Sequence, residues 1–175
     1  RLALPPKELA ARLNLNWPAF TDQLDRIRAR LYALRQSRVR PALDDKVLVF
    51  WNALAIRAFA EAGKVLNRQD YLFAAQKSAR FLLTCMVAED GTLLRSWRRG
   101  KAQNTAYLED HAGLSLALLA LYQADFDPKW YQAAQKTGEA IKAHFSDPAG
   151  GFFDTHAHQD ALLVRPKDLQ DNATP

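Results

Sequence analysis

The stretch Leu43-Asp44-Asp45 opens a block of sequence that recurs at residues 108–110, and residues 169–171 look like the start of a third copy. The run Ala-Ala-Gln-Lys keeps a similar spacing, since it stands at 74–77 and again at 133–136. Each opener leads into an almost wholly apolar segment, which an amphipathic segment follows. A repeat of this length is typical of stacked helical hairpins. The repeat therefore predicts the fold class before any single residue is given a role.

The chain has 175 residues and is long enough to bury a core of its own. Its 24 basic and 19 acidic side chains leave a modest positive charge, and the N-terminal arginines stand beside acidic residues, as on a solvated helix face. No apolar run is long enough to cross a bilayer, and a single cysteine excludes an internal disulfide framework. We therefore expect a soluble, cytoplasmic protein that binds neither nucleic acid nor membranes. Because the chain starts at Arg1 and stops just inside the third repeat, we also expect a fragment of a larger protein.

Hydrophobic periodicity predicts two helices in each repeat, at 45–62 and 68–87 in the first and at 110–124 and 128–145 in the second. The first helix of each repeat is apolar on nearly every side, whereas the second is amphipathic. This alternation predicts an all-α fold in which inner helices are wrapped by outer ones as antiparallel hairpins. Short apolar stretches after the outer helices predict β-hairpin-like strands between the repeats.

Two more helices are predicted before the repeats, at 5–13 and over about 18 residues after Trp17-Pro18. Asp127-Pro128 predicts an N-cap followed by proline at the first helical position. Gly63 is the expected C-cap of the first inner helix. Cys85 lies in the apolar stripe of its helix, where we expect a buried small side chain.

A set of motifs follows in a fixed order along most of the chain. The motifs are Arg40-Pro-x-Leu-Asp-Asp-Lys46, Trp51-Asn52, a Gly-x-Leu with a basic tail at 91–101, Tyr107-Leu-Glu-Asp110, Phe126-Asp-Pro-x-Trp130, Gly150-Gly-Phe-Phe153, Val164-Arg-Pro-Lys167 and Asp171-Asn-Ala-Thr-Pro175. In order and spacing they resemble the helical part of the spermatogenesis-associated, thioredoxin-domain-containing family, which includes the bacterial YyaL-like proteins. One departure is the second opener, which reads Glu109-Asp110-His111 where the family pattern has two aspartates followed by an aromatic residue.

The resemblance implies an (α/α)6 toroid similar to six-hairpin glycosidases and N-acylglucosamine 2-epimerases. It divides the chain into repeats at about 43–107 and 108–168, with a third starting near 169, so that the whole chain is part of one toroid domain. The family carries a thioredoxin-like domain before the toroid. This chain has no Cys-x-x-Cys, so we expect that domain to be absent from it and to be a partner within the full-length protein.

In such a toroid, the loops that lead into the inner helices line one mouth of the central cavity. Asp45 and Asp110 come from different hairpins and are the predicted catalytic pair, because glycoside chemistry uses two carboxylates about 5–9.5 Å apart. His111 is a candidate general base. Helix capping is the alternative for the acidic openers, because carboxylates favour the first turn of a helix whether or not they do chemistry.

A further set of residues at the same mouth is predicted to bind substrate. These residues are Arg40, Asp44, Lys46, Trp51, Asn52, Glu109, Arg165 and Asp171. The basic members would neutralise the acidic openers or bind an anionic substrate. Trp51 either stacks on a sugar ring or packs in the core, and Asn52 either bonds to a neighbouring helix or faces a polar cavity. His156 and His158 are expected in an exposed loop, and no metal site is predicted.

The leading functional hypothesis is an acidic cavity that binds or processes a sugar-like ligand, with glycosidase-like or epimerase-like activity in the full-length protein and no cofactor. The alternative is a non-catalytic scaffold or interaction domain that partners the thioredoxin-like domain. The fragment alone is expected to be inactive, because a ring cavity draws its groups from several hairpins. Its open edges should expose apolar helix surface and favour self-association.

Overall fold

The computed structural model describes residues 4–158 and 163–167. The chain divides into two compact units, Arg1–Asp44 and Asp45–Pro175. The boundary falls inside the first acidic opener, so that Asp44 and Asp45 belong to different units. The two repeats therefore both lie in the second unit.

The first unit contains the two predicted N-terminal helices, α1 (Pro6–Arg12) and α2 (Trp17–Gln36). Asn16 caps α2, because its side-chain oxygen accepts a hydrogen bond of 2.9 Å from the backbone N–H of Ala19. Phe20 is the buried residue of α2. Three other apolar side chains of this helix are more than half exposed: Ile27, Leu31 and Leu34.

The second unit contains two helical hairpins. The first consists of α3 (Val49–Val65) and α4 (Gln69–Cys85), and the second of α5 (Leu108–Asp125) and α6 (Pro128–His144). The α3 and α5 helices pack extensively against each other, and α4 and α6 each pack on the inner helix of their own hairpin. This packing confirms the predicted all-α fold with an inner and an outer layer.

The second unit also contains a small antiparallel sheet, whose first strand precedes the first hairpin and whose other two strands lie between the hairpins in sequence. Its strands are β1 (Val47–Leu48), β2 (Leu94–Arg98) and β3 (Lys101–Thr105), in the spatial order β1-β2-β3. Arg99 and Gly100 join β2 to β3 in a tight turn with φ of 51° and 82°, which is the backbone that such hairpins need. This sheet corresponds to the β-hairpin-like strands predicted between the repeats.

The two repeats also end in the same way. A single β-bridge joins Val87 to Leu93 after the first hairpin, and another joins Ser146 to Phe152 after the second. The spacing between the two bridges is the same as that between the Ala-Ala-Gln-Lys runs. The partner strand predicted for Phe152 begins at Leu162, which lies outside the described residues.

The core forms where the four helices of the second unit meet. Small residues allow the inner helices to approach closely: a Cβ added to Gly113 of α5 would stand 2.8 Å from a ring carbon of Phe50 on α3. The buried side chains with the least exposure include Val49, Ala53, Ile56, Ala60, Ala79, Leu82, Leu114, Leu118, Leu121 and Trp130. Burial of these side chains supplies the main stabilisation of the unit.

Local details differ from the predictions at the first inner helix. The α3 helix begins at Val49 and not at residue 45, because residues 47 and 48 pair with β2 as a strand. Gly63 is a buried residue within α3, and the C-cap is Leu66. Gly63 is instead required by packing, because an added Cβ would stand 3.0 Å from the backbone nitrogen of Leu72 on α4.

Two side-chain predictions have opposite outcomes. Asp127 caps α6 by accepting a hydrogen bond of 3.1 Å from the N–H of Lys129, and Pro128 follows as the first helical residue. This confirms the predicted N-terminus. Cys85 is exposed at the end of α4, so the prediction of a buried thiol is wrong. Cys85 is the last residue of α4, and the buried side chains at this end of the helix are Leu82 and Met86.

Candidate functional site

Arg95 of β2 is the centre of a charged cluster at the start of α5. Its Nη1 atom donates hydrogen bonds to Glu109 Oε1 at 2.8 Å and to Asp110 Oδ2 at 2.9 Å. The guanidinium also lies 4.6 Å from the centroid of the Tyr107 ring, a distance at which a cation is attracted to an aromatic face. The Arg95 side chain is 26% exposed and that of Glu109 is 36% exposed, so the cluster is open to solvent on one side. We call these four residues the Arg95 cluster.

Asp110 is the buried member of the Arg95 cluster and connects three elements. Its carboxylate accepts hydrogen bonds from the backbone N–H of Tyr107 at 2.9 Å and from that of Phe50 at 3.1 Å, in addition to the bond from Arg95. The side chain is fully buried. It therefore caps the start of its own helix and also supplies an acceptor for the first turn of α3, whose N–H groups have no partner within the helix. Burial raises the pKa of Asp110, while the backbone donors and Arg95 act in the opposite direction.

Asp45 occupies the same place in the first repeat but has a different environment. It is exposed and pairs with Arg98, at the far end of β2 from Arg95. The hydrogen bond from Arg98 lowers the pKa of Asp45. Because β1 separates Asp45 from α3, this carboxylate does not cap the helix. The structure thus brings both acidic openers to β2, each through its own arginine, and their pairing as acid and base stays a prediction.

His111 faces a different part of the molecule from Asp110. Its ring lies 4.9 Å from that of Phe145, at the end of α6, and its Nδ1 atom lies 3.0 Å from the carbonyl oxygen of Tyr107. That contact favours the tautomer with the proton on Nδ1. Burial lowers the pKa of His111, so that the ring is neutral near pH 7. Asp110 and His111 both bond to the Tyr107 backbone but otherwise have different partners, and the catalytic role of His111 stays a prediction.

Three predicted binding residues lie at or near the start of α3. Trp51 is 52% exposed, which leaves its ring accessible as the sugar-stacking hypothesis requires. Asn52 donates a hydrogen bond of 2.8 Å from Nδ2 to the carbonyl oxygen of Leu48, so its amide is bonded to its own first turn and not to a neighbouring helix. Lys46 is exposed just before β1.

Arg165 binds the backbone of its own chain. Its Nη2 atom donates to the carbonyl oxygen of His144 at 2.9 Å and to that of Thr155, and its guanidinium lies 4.2 Å from the Phe153 ring centroid. These contacts attach residues 163–167 to the end of α6. The structure therefore gives Arg165 a partner set different from the acidic openers that the sequence suggested.

The remaining predicted binding residues lie in the first unit or outside the described residues. Arg40 and Asp44 belong to the first unit, where the Arg40 guanidinium bonds to the Gln36 side chain. Asp171 lies outside the described residues, as does the predicted start of the third repeat. Their binding roles stay predictions.

The histidines near the end of α6 form a cluster that the sequence did not predict. The rings of His144 and His156 stack with centroids 4.3 Å apart, and His158 lies 5.6 Å from His156. His156 is buried and His158 is exposed, so the expected exposed loop is correct for one and wrong for the other. Burial lowers the pKa of His156. Among the described residues, no group of three or more His, Cys, Asp or Glu side chains is arranged to hold a metal ion.

Sequence reasoning did not assign Arg95 or Tyr107 to the site. Both stand inside motifs already visible in the sequence, Arg95 in the basic tail at 91–101 and Tyr107 at the start of the Tyr-Leu-Glu-Asp motif. The missing information was the register of β2 against β3, in which Leu94 lies opposite Thr105, so that Arg95 comes beside the start of α5.

Comparison with curated proteins finds relatives over nearly the whole chain. The chain is 32% identical to human spermatogenesis-associated protein 20 over 177 residues, which is 95% of this chain and 22% of that protein. The chain is homologous to part of spermatogenesis-associated protein 20. It spans only about a fifth of the length of this relative, whose mouse counterpart matches over the same 22%. An uncharacterized protein of Caenorhabditis elegans, B0495.5, is 26% identical over 183 residues and is covered to 25%. No family model matches the chain.

Solved structures similar to this homologue of spermatogenesis-associated protein 20 are (α/α)6 toroid enzymes. Cellobiose 2-epimerase from Spirochaeta thermophila matches with a TM-score of 0.60 and 19% identity over 70% of this chain and 32% of that one. The GH76 alpha-mannanase from Bacteroides thetaiotaomicron matches with a TM-score of 0.58 and 16% identity, over 67% of this chain and 34% of that one. At such identities the likeness concerns the fold alone, and it confirms the toroid class. None of the helices among the described residues combines the length and apolarity needed to cross a membrane.

Proposed function

We propose that this chain contributes part of the wall of a sugar-binding cavity, and that the Arg95 cluster contacts the sugar. The observation that supports the proposal is the half-exposed Arg95–Glu109 pair beside the Tyr107 ring at the start of α5. The sugar epimerase and mannanase folds similar to this chain make a sugar the first ligand class to test.

The chemistry of the Arg95 cluster suits a polyhydroxylated ligand. Glu109 offers carboxylate acceptors to hydroxyl groups, and charge-assisted hydrogen bonds of this type are stronger than neutral ones. The Tyr107 ring offers an apolar face with a polar hydroxyl at its tip. Arg95 is fixed by β2 and by two carboxylates, so that these groups are held in place before a ligand arrives.

The two acidic openers have different parts in this proposal. Asp110 is enclosed by its three donors, so we assign it to positioning: it holds the start of α3, the start of α5 and Arg95 in one arrangement. Asp45 is exposed, so it is the opener whose carboxylate can contact a ligand. Any glycosidase-like or epimerase-like reaction would then depend on Asp45 together with groups from other hairpins of the full-length protein.

The test is a titration of the chain with monosaccharides and with cellobiose, followed by NMR of the protein. We expect Glu109→Gln to weaken binding by about tenfold, the effect of removing one charge-assisted hydrogen bond of about 1.4 kcal/mol. Glu89→Gln, at an exposed position after α4, is the matched control and should bind as the parent does. If no sugar perturbs the residues of the Arg95 cluster at millimolar concentration, the proposal is wrong.

That negative outcome would favour the alternative of a non-catalytic scaffold. The interaction partner proposed for it is the thioredoxin-like domain of the same full-length protein. The extensive structural bonding of Asp110 supports this alternative, because a carboxylate saturated by donors contributes to the fold whether or not a ligand binds. Mixing the chain with that domain and measuring heteronuclear NMR shifts would test the interaction directly.

We also propose that the chain on its own self-associates. Several large apolar side chains of α3 are exposed on its surface, among them Trp51, Leu54 and Phe59. Side chains in such a stripe favour contact with another apolar surface. Light scattering should therefore give a mass above the 19.7 kDa of one chain, and Leu54→Lys should lower it. A strictly monomeric parent would contradict the proposal.

A further inference from the structure

A second concave site, separate from the Arg95 cluster, lies between the helices α4, α5 and α6. The cavity has a volume of about 440 Å³, within the range of about 300–1,000 Å³ in which proteins bind small molecules. His111 lines it, whereas no member of the Arg95 cluster does. Most of its wall is apolar and is formed by Leu83, Val87, Leu93, Leu114, Ala133 and Ala140.

The polar part of this cavity comes from one face of α6. Lys129, Gln132 and Lys136 line it, and their spacing of three and four residues puts them on the same side of the helix. Thr137 adds a hydroxyl beside them. No aspartate or glutamate is among the described lining residues, so the cavity is apolar with a positively charged edge.

The two lysines differ in how much of their charge is available. Lys129 forms an ion pair with Asp127, and its ammonium lies 4.6 Å from the Trp130 ring centroid. The carboxylate of the nearby Glu139 accepts a hydrogen bond of 3.1 Å from Gln135. Of the two lysines, Lys129 already has a carboxylate partner and Lys136 has none among the described ion pairs. Lys136 is therefore the better partner for an anionic ligand.

One end of the cavity adjoins a smaller space of about 100 Å³ that shares Gly91, Leu93, His111 and Ala140 with it and is also lined by the exposed Asp90. With Nδ1 directed to the Tyr107 carbonyl, the neutral ring of His111 has Nε2 as an acceptor. This end suits water or a neutral hydrogen-bonding group. A second negative charge at this end would meet no lysine or arginine among the described residues that line the smaller space, which limits the ligand to one anionic group.

We infer that this cavity binds a small amphipathic anion, with its apolar body against Leu93 and Leu114 and its single anionic group on Lys136. The inference rests on the complementarity between an apolar cavity and its positively charged edge. It does not depend on the proposed sugar site, which uses none of these residues.

Octanoate is the probe for this inference, with octan-1-ol as a neutral ligand of the same length. We expect octanoate to bind the chain saturably in calorimetric titration and to shift the ring resonances of His111. Lys136→Gln should weaken octanoate binding by about tenfold and should leave octan-1-ol unaffected, because only the ion pair is lost. Lys142→Gln removes an equal charge from the same helix outside the cavity lining and should bind octanoate as the parent does.

A cavity-filling variant separates this site from exposed apolar surface elsewhere. Ala133→Phe should abolish saturable octanoate binding while the thermal unfolding midpoint shows that the protein is folded. If that variant does not fold, the His111 resonances of the parent decide the location. Octanoate that binds without shifting them, or that binds Lys136→Gln as tightly as the parent, would overturn the inference. So would equal affinity for octanoate and octan-1-ol, or the absence of saturable octanoate binding.

Discussion

The acidic openers of the two repeats are a pair of similar sequences in unlike surroundings. Asp110 is fully buried and accepts three hydrogen bonds that join α3, α5 and β2. Asp45 is exposed and makes an ion pair with Arg98. The second opener has a neighbouring helix and a strand packed beside it, whereas β1 separates the first opener from the helix that follows.

This difference shows that the role of a repeated residue depends on what the preceding repeat places next to it. The N–H of Phe50 in the first repeat is satisfied by Asp110 in the second. Capping thus crosses from one hairpin to the next and couples the two inner helices. Whether an acidic opener caps a helix or can take part in catalysis must therefore be decided separately for Asp45 and for Asp110.

The largest expected effect comes from removing the buried carboxylate. Asp110→Ala should lower the free energy of unfolding by about 3–5 kcal/mol, because it leaves two backbone N–H groups without an acceptor and removes the buried one of the two carboxylates that Arg95 bonds. Asp45→Ala should leave the urea midpoint unchanged within error, because an exposed ion pair contributes little. Circular dichroism during urea titration measures both. Equal effects of the two substitutions would contradict the contrast drawn between the openers.

A smaller effect is expected from the arginine partners. Arg95→Met should cost about 2–4 kcal/mol, because the buried carboxylate of Asp110 then loses its cation while it keeps its two backbone donors. Arg98→Met should have little effect, since both side chains of its ion pair are exposed. The same urea titrations compare the two. A double-mutant cycle of Arg95→Met with Asp110→Asn should give a coupling energy, and complete additivity would argue against the pair.

The larger features of this fold follow from the sequence alone. The alternation of apolar and amphipathic segments gives the four helices of the two hairpins within a few residues, because each helix is long enough to show its period. The pair Asp127-Pro128 predicts the N-terminus of α6, because aspartate is a favoured N-cap and proline is favoured at the first helical position. The motif order also leads to the homology that the comparison shows, since the alignment with human spermatogenesis-associated protein 20 covers 95% of this chain and 22% of that protein.

The site was predicted only in part, for reasons that are local. The sequence singles out Asp110, but it cannot show that the carboxylate is buried, because burial is decided by Phe50 and Arg95 from other elements. The β1 strand is too short to show a strand pattern, so the start of α3 was placed too early, at residue 45. The direction in which the His111 side chain points depends on the side of α5 against which α6 packs, and no local sequence pattern indicates that side.

The residues that follow the two openers also differ, and this difference predicts how stability depends on pH. His111 is buried as a neutral ring with a lowered pKa, while Lys46 in the first repeat is exposed. The unfolded chain binds a proton near the ordinary histidine value of 6.5, and the folded state resists it. The contribution of this neutral ring to stability should therefore be complete above about pH 6.5. The free energy of unfolding should fall as the pH is lowered through 6.5 toward the pKa of His111 in the folded state.

Urea titrations between pH 7.5 and 5 test this dependence. His111→Gln should reduce the slope of the unfolding free energy against pH, and a slope remains because burial also lowers the pKa of His156. His158→Gln is the control, since that side chain is exposed. An unchanged slope in His111→Gln would show that the ring is not held neutral by the fold.

The smallest effect concerns the outer helices, where Gly138 of α6 is the repeat counterpart of Ala79 of α4. A Cβ added at Gly138 meets nothing within 4 Å. Gly138→Ala should therefore raise the free energy of unfolding by about 0.5–1 kcal/mol, through the lower entropy of the unfolded chain and the better helix propensity of alanine. Gly150→Ala adds a Cβ into equally open space but at a φ of 105°. It should be destabilising, because an L-residue is strained there. If both substitutions change the urea midpoint in the same direction, backbone conformation does not distinguish Gly150 from Gly138.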